Sequence, residues 1–109
     1  MSGLPALDDD CADAAPSRPG AIVRVMHIRN EKGLHARASA KFVQTVEKFD
    51  ADVRVTRCGE TVGGTSIMGL MSLAAARGTD ITIEATGPQA EAVMQAIEML
   101  LASRFGEDE

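Results

Sequence analysis

Apolar and polar residues alternate with a period of two in several stretches of the chain, and this pattern predicts β-strands. The clearest stretch is DITIEAT at residues 80–86, in which isoleucine and alanine alternate with aspartate, threonine and glutamate. Three further segments show the pattern less strictly: AIVRVMHI at residues 21–28, ADVRVTR at residues 51–57, and the short pair Thr61 and Val62 after a turn. Four strands are therefore predicted.

Three other segments repeat apolar residues every three or four positions, as amphipathic helices do. These apolar positions are Phe42, Val43, Val46 and Phe49, then Ile67, Leu70, Met71 and Ala74, and finally Ala92, Val93, Ala96, Ile97, Leu100 and Leu101. The predicted order is β-α-β-β-α-β-α. Because the strands have one polar face, we predict an α+β fold with one antiparallel sheet and the helices on a single face of it.

The two ends of the chain lack hydrophobic periodicity. A chain of 109 residues suits one domain, and we place that domain at residues 21–105. Residues 1–20 are rich in Asp, Ala, Pro, Ser and Gly and cannot offset the entropy of ordering, so we predict a flexible acidic tail. Residues 106–109 form a second acidic tail.

Composition and charge exclude several classes of function. The net charge is −5, with no Trp, no Tyr and three Phe, and no basic stripe is visible, so nucleic acid is not an expected partner. No stretch is long and apolar enough to cross a bilayer, and no signal-peptide pattern is seen, so we expect no membrane insertion and a cytoplasmic protein. Cys11 and Cys58 lack metal-ligand spacing, and we expect free thiols and no metal.

The segment GLHARAS at residues 33–39 places His35 where the first helix is predicted to begin. The backbone amides of Ala36 and Arg37 are unpaired donors of a first helical turn and favour an anion, to which the Arg37 side chain adds a positive charge. A neutral imidazole is a nucleophile, so this arrangement suits a phosphoryl group carried on the ring. The simpler alternative is that His35 only caps the helix and Arg37 is a solvated charge.

Three quoted segments, GLHARAS, AKFVQTVEKFDADVRV and TSIMGLMSLAA, together resemble the HPr family of histidine-containing phosphocarriers of the phosphoenolpyruvate-dependent phosphotransferase system. The likeness runs from about residue 22 to residue 104. It implies an open-faced sandwich of four antiparallel strands with three helices on one face. It also implies that His35 accepts a phosphoryl group on Nδ1 from enzyme I and passes it to an enzyme IIA, with Arg37 stabilising the phosphate. No cofactor is implied, and the chain is a carrier rather than an enzyme.

The chain departs from the family motif at one position. The motif continues with proline after His-Ala-Arg, whereas this sequence has Ala38. Alanine supplies a backbone amide that proline lacks. We therefore expect the site to be retained, with altered rate or phosphate contacts.

A second anion site is predicted at GGTSIMGLMSL, where Ser66 precedes a helical turn and is a natural N-cap. The resemblance to HPr proteins controlled by HPr kinase/phosphorylase implies that Ser66 is a regulatory phosphorylation site. The helix that follows is apolar almost all round, so Ile67, Met68 and Met71 are expected to dock enzyme I and enzyme IIA. The alternative is that all of these residues are core.

Other functions remain open at this point. A regulatory interaction module of the nitrogen-related branch of the family is the main alternative, suggested by EATGPQAEAVMQAIEML near the carboxyl terminus. A hydrolase using His35 lacks a Ser or Cys nucleophile motif, and a ligand-binding α+β domain leaves the pair of His35 and Arg37 unexplained. We expect a monomer, and we expect His27 to be a structural or surface residue.

Overall fold

The structure is a computed structural model that describes residues 19–106. The elements in chain order are β1 (Ile22–His27), α1 (Ala36–Val46), β2 (Asp52–Arg57), β3 (Glu60–Gly63), α2 (Ile67–Ser72), β4 (Asp80–Thr86) and α3 (Ala90–Ala102), followed by a 3-10 turn at Arg104–Gly106. This order confirms the predicted one. Residues 1–18 and 107–109 lie outside the described residues, so most of the two predicted tails cannot be compared.

The four strands form one antiparallel sheet in the order β1-β4-β2-β3, with β4 in the centre and β1 and β3 at the edges. In the pairing of β1 with β4, Met26 lies opposite Ile81, and Ile83 lies opposite Val55 in the pairing of β4 with β2. These residues are buried on the face that the helices cover. The predicted open-faced sandwich is therefore confirmed.

The core lies between this face of the sheet and the helices. Its fully buried side chains include Phe42 and Val46 of α1, Leu70 of α2, Val93, Met94 and Ile97 of α3, and Val55, Ile81 and Ile83 of the sheet. Burying an aliphatic or aromatic side chain of this size stabilises a protein by about 1.5–3 kcal/mol. The three-and-four spacing of apolar residues thus gives the core face of α1 and, apart from the exposed Ala92, of α3. It is wrong for α2, where Leu70 is buried but Ile67, Met71 and Ala74 are exposed.

Two polar residues of β4 depart from the expectation that alternate positions face water. Thr82 is 6% exposed and Glu84 is 3% exposed. A central strand has a neighbour on both sides, and here Glu84 lies opposite Val23 of β1 and Arg54 of β2. The period-two pattern predicts that Glu84 faces solvent. Arg54 on the neighbouring strand places a favourable opposite charge across from the Glu84 carboxylate.

The expectation of a free thiol at Cys58 is wrong, because Cys58 is in a disulfide. Cys58 lies in the exposed turn between β2 and β3. Sequence spacing excludes a metal site but does not show which sulfur atoms meet in space, so it could not exclude this bond. The other cysteine of the chain, Cys11, lies outside the described residues.

The core continues past the end of α3. Phe105 of the 3-10 turn is 1% exposed, and its carbonyl oxygen accepts a hydrogen bond of 2.6 Å from Lys41 Nζ on α1. Arg104 and Phe105 both have left-handed backbone angles, with φ of 56° and 57°. This conformation costs about 1–2 kcal/mol per non-glycine residue, so the packing of the Phe105 ring must compensate for it.

We predict that Phe105→Ala lowers the free energy of unfolding by about 3–5 kcal/mol, because it leaves a cavity in the core. Met99→Ala, on the exposed side of α3, is the control and should change it by less than about 0.5 kcal/mol. Chemical denaturation followed by circular dichroism measures both. Equal effects of the two substitutions would contradict a core that includes the 3-10 turn.

Candidate functional site: the amino terminus of the first helix

The loop before α1 is fixed by buried hydrogen bonds. The side-chain amide of Asn30, which is fully buried, donates to the carbonyl of Gly33 at 2.8 Å. The next amide, of Leu34, donates to the carbonyl of Ala75 at 2.9 Å. Gly33 has a φ of 66°, and a Cβ atom there would overlap the carbonyl oxygen of Ala75. Gly33 lies in the loop between β1 and α1, and Ala75 lies in the loop between α2 and β4. The close contact between these two loops sets the position of His35.

His35 is the N-cap residue of α1. Its backbone is extended, and its carbonyl accepts the first helical hydrogen bond from the amide of Ser39 at 2.9 Å. Its ring Nδ1 accepts a hydrogen bond from the backbone N–H of Arg37, with a nitrogen-to-nitrogen distance of 3.3 Å. Only an unprotonated ring nitrogen can accept. This geometry therefore corresponds to the neutral tautomer, with the proton on Nε2 and the lone pair on Nδ1.

This arrangement has the parts that histidine phosphorylation needs. The half-buried ring presents a nucleophilic nitrogen to the positive end of an 11-residue helix. The backbone N–H groups of Ala36 and Arg37 belong to the first helical turn and have no carbonyl partner one turn earlier in the helix. The Arg37 side chain is exposed beside them. The structure therefore brings His35, Ala36 and Arg37 together as the sequence predicted.

Ala38 occupies the position where the family motif has proline. It is fully buried, at the third helical position of α1. The helix starts regularly without the fixed φ angle of a proline. Ser39, the next residue, donates a hydrogen bond from its hydroxyl to the carbonyl of Leu34 at 3.2 Å, which closes the turn around His35.

The predicted second site lies at the start of α2, which packs against α1. Ser66 is exposed, and its Oγ accepts a hydrogen bond of 3.0 Å from the backbone N–H of Gly69, so Ser66 is the N-cap. Of the residues expected to dock partners, Met68 is 76% exposed, Ile67 is 39% exposed and Met71 is 38% exposed. The alternative that the whole helix is core is therefore wrong. We name Ile67, Met68 and Met71 the α2 surface.

His27 has a partner that the sequence does not reveal. Its Nδ1 donates to Asp80 Oδ1 at 2.7 Å, and the two residues lie opposite each other in the pairing of β1 with β4. They are 53 residues apart in the chain, so only the strand register could have indicated the contact. His27 therefore forms an exposed cross-strand hydrogen bond to Asp80, whereas His35 caps a helix.

Within residues 19–106, no group of three or more His, Cys, Asp or Glu side chains could hold a metal ion. The same part of the chain has no helix that is both long enough and apolar enough to cross a membrane.

The fold and the capped histidine define a small α+β protein with a histidine ring at a helix start, and comparisons with known proteins name the class. A family model described as the PTS HPr component phosphorylation site matches residues 22–103. Phosphocarrier protein HPr of Neisseria meningitidis is 49% identical over 84 residues, which cover 77% of this chain and 94% of that protein. The corresponding protein of Cupriavidus necator is 48% identical over 82 residues, covering 75% and 92%.

Solved structures agree with the sequence comparisons. The crystal structure of HPr from Thermoanaerobacter tengcongensis superposes with a TM-score of 0.77 at 38% identity and covers 81% of this chain and 99% of that one. HPr from Bacillus anthracis gives a TM-score of 0.71 at 37% identity, covering 74% and 96%. The chain therefore belongs to the HPr family of the phosphotransferase system, whose members are phosphocarriers rather than catalysts.

We predict that Gly33→Ala destabilises the protein more strongly than Gly59→Ala. Both glycines have positive φ, at 66° and 80°, so both alanines bear the left-handed backbone cost of about 1–2 kcal/mol. Only at Gly33 would the new Cβ also overlap the neighbouring loop, because nothing lies within 4 Å of a Cβ at Gly59. Thermal unfolding should show a lower midpoint for Gly33→Ala. Equal midpoints would contradict the close contact between the loops.

Proposed function

We propose that this protein carries a phosphoryl group on Nδ1 of His35, receives it from phosphorylated enzyme I and transfers it to an enzyme IIA. The observation that carries the proposal is the hydrogen bond from the Arg37 amide to His35 Nδ1. It holds the ring with the lone pair of Nδ1 directed at the start of α1. Membership of the HPr family supports the same assignment.

The transfer needs only a nucleophile and an electrostatic environment. The lone pair of His35 Nδ1 forms a bond to phosphorus while the bond between phosphorus and the donor atom of enzyme I breaks. The proton on Nε2 stays in place, so no general base beside His35 is required. Transfer to the enzyme IIA reverses the roles, with an acceptor atom attacking phosphorus and the electron pair returning to Nδ1.

Once Nδ1 is bonded to phosphorus, its lone pair no longer accepts the hydrogen bond from the Arg37 amide. The phosphoryl oxygens become the hydrogen-bond acceptors instead. We propose that the amides of Ala36 and Arg37 donate to them, and that the exposed Arg37 guanidinium adds a charge-assisted contact. Ala38, unlike proline, has a backbone N–H in the same helical turn, although the residue itself is fully buried. The helix dipole stabilises the added negative charge, so the phosphorylated form retains its helix start.

Partner recognition is assigned to the α2 surface. Met68 and Met71 are flexible side chains that adapt to differently shaped partners, as a carrier with one donor and several acceptors requires. Leu70 is fully buried and Leu73 is 3% exposed, so these two residues anchor the helix while its outer side stays accessible. We propose enzyme I and enzyme IIA as the proteins that bind there.

Ser66 is proposed as a regulatory phosphorylation site for an HPr kinase/phosphorylase. Its hydroxyl is exposed, which gives a kinase access, and it borders the α2 surface. Phosphorylation adds a charge of about −1.5 to −2 at neutral pH, so it would place a dianion beside an apolar contact region. We therefore propose that it acts by blocking docking rather than by unfolding α2.

The biological setting follows the family. We propose that the protein acts in the cytoplasm as a monomer with one domain at residues 21–105, where the phosphotransferase partners meet it. A second candidate function is regulation in the nitrogen-related branch, by binding that depends on phosphorylation. The helix sequence AEAVMQAIEML within α3 favours this candidate. The acceptor of the phosphoryl group, a sugar permease component or a soluble enzyme IIA alone, distinguishes the two.

The central prediction is that phosphoenolpyruvate and enzyme I label the wild-type protein but not His35→Ala. The label should be lost in acid and kept in alkali, as expected for a phosphorus–nitrogen bond. His27→Ala is the matched control, because it removes the other histidine, and it should be labelled normally. Label on His35→Ala, or none on the wild type when a control HPr is phosphorylated, would refute the proposal.

For the second site we predict that an HPr kinase/phosphorylase with ATP labels the wild type and not Ser66→Ala. Ser72→Ala is the control, since Ser72 is an exposed serine of the same short helix. Loss of the N-cap should also lower the stability of Ser66→Ala by about 1 kcal/mol. The Ser66 phosphoprotein should accept phosphate on His35 at least about tenfold more slowly, which corresponds to about 1.4 kcal/mol. An unchanged rate would contradict a role in regulation.

A further inference from the structure

A cleft of about 310 Å³ lies at the end of the molecule where β1 finishes and β4 begins. It is lined by His27, Ile28, Arg29, Arg77, Gly78 and Arg104. Three of these six residues are arginines, and they come from three separate parts of the chain. We name Arg29, Arg77 and Arg104 the arginine cleft residues.

The charges of the arginine cleft residues are not compensated by nearby carboxylates. Among residues 19–106, no carboxylate oxygen lies within 4.0 Å of their guanidinium groups. Asp80 lies opposite His27 of the cleft lining and is hydrogen-bonded to it at 2.7 Å, and Glu98 pairs with Arg24 at 3.0 Å. The cleft is therefore locally positive.

The loops that carry these arginines are fixed to each other. The amide of Ile28 donates to the carbonyl of Thr79 at 2.9 Å, and the amide of Gly78 donates back to the carbonyl of Ile28 at 2.9 Å. Arg104 has a φ of 56°, in the left-handed region that non-glycine residues rarely adopt. The turn that follows α3 thus brings its guanidinium to a cleft that the two loops have already shaped.

We propose that the arginine cleft binds the phosphate group of a small phosphorylated molecule. Guanidinium groups present planar pairs of N–H donors that match phosphate oxygens, and three of them suit a dianion better than a single carboxylate. A volume of about 310 Å³ lies at the lower end of the range for small-ligand pockets. The three arginines of the cleft form one cluster and not the continuous positive track that a nucleic-acid backbone needs.

This inference does not depend on the proposed phosphocarrier function. The cleft includes neither His35 nor Arg37. The two sites are nevertheless connected, because the loop that carries Arg77 also provides the carbonyl of Ala75 that receives the Leu34 amide. Binding at the cleft therefore occurs next to the loop that supports His35.

The test is a titration of the full-length protein with inorganic phosphate and with glycerol 3-phosphate at constant ionic strength, followed by calorimetry and by NMR shifts of backbone amides. We expect saturable shifts at Ile28 and Gly78. The double variant Arg29→Gln/Arg77→Gln should bind at least tenfold more weakly. Lys48→Gln removes one exposed charge near the end of α1, and it should bind within twofold of the wild type.

Four outcomes would overturn the proposal. The first is shifts no larger than sodium chloride causes at the same ionic strength. The second is equal weakening by Lys48→Gln, which would indicate only a general charge effect. The third is binding of citrate as tight as that of glycerol 3-phosphate, which would indicate no phosphate preference. The fourth is loss of binding in Arg37→Gln but not in the double variant, which would place the anion at His35.

Folding of the double variant is checked independently, by its NMR spectrum and its thermal midpoint. If the double variant does not fold, Arg104→Gln alone provides the measurement. That single variant should bind severalfold more weakly than the wild type, and binding within twofold of the wild type would overturn the proposal. Labelling of His35 by enzyme I is a separate experiment, so failure of one result does not imply failure of the other.

Discussion

The antiparallel pairing of β1 with β4 is the interaction on which both proposed sites depend. It joins the first strand of the chain to the fourth and places β4 between β1 and β2. Because the two strands run in opposite directions, the end of β1 meets the start of β4, with His27 opposite Asp80. The loop after β1 and the loop before β4 therefore leave the sheet side by side. One of them leads to His35, and the other supplies Ala75 and Arg77.

The loops use this proximity in two ways. Close backbone contact at Gly33 holds the residue before α1, and this contact fixes where the helix begins. Arg29 and Arg77, which lie on the same two loops, line one cleft together with Arg104 from the turn after α3. A single pairing of strands thus determines the position of a nucleophilic nitrogen and of a positive cleft. Substitutions that weaken β1 should affect both.

The sequence predicts a site well when the residues of that site are close together in the chain. His35, Ala36 and Arg37 are consecutive or nearly so, and helix periodicity together with N-cap chemistry is enough to place them. The arginine cleft residues lie 27 to 75 residues apart in the chain, so no short window of sequence contains all three. The overall net charge of −5 also gives no indication of a positive cleft. Residues 19–106 carry ten Lys and Arg and nine Asp and Glu, a net charge of +1, and the rest of the chain contributes −6. The buried Glu84 and the disulfide at Cys58 escape prediction for the same reason.

Under the proposed function, the N-cap position of His35 would let the protein pass through two covalent states with one backbone. In the unphosphorylated protein the Arg37 amide donates to Nδ1, so the cap is satisfied by the ring itself. When Nδ1 bonds to phosphorus its lone pair is lost, but the phosphoryl group brings oxygen acceptors to the same donors. The first turn of α1 therefore needs no refolding at either step. The free energy of the transfer is then determined by the phosphoryl bond and its donors, and the fold contributes by keeping those donors fixed.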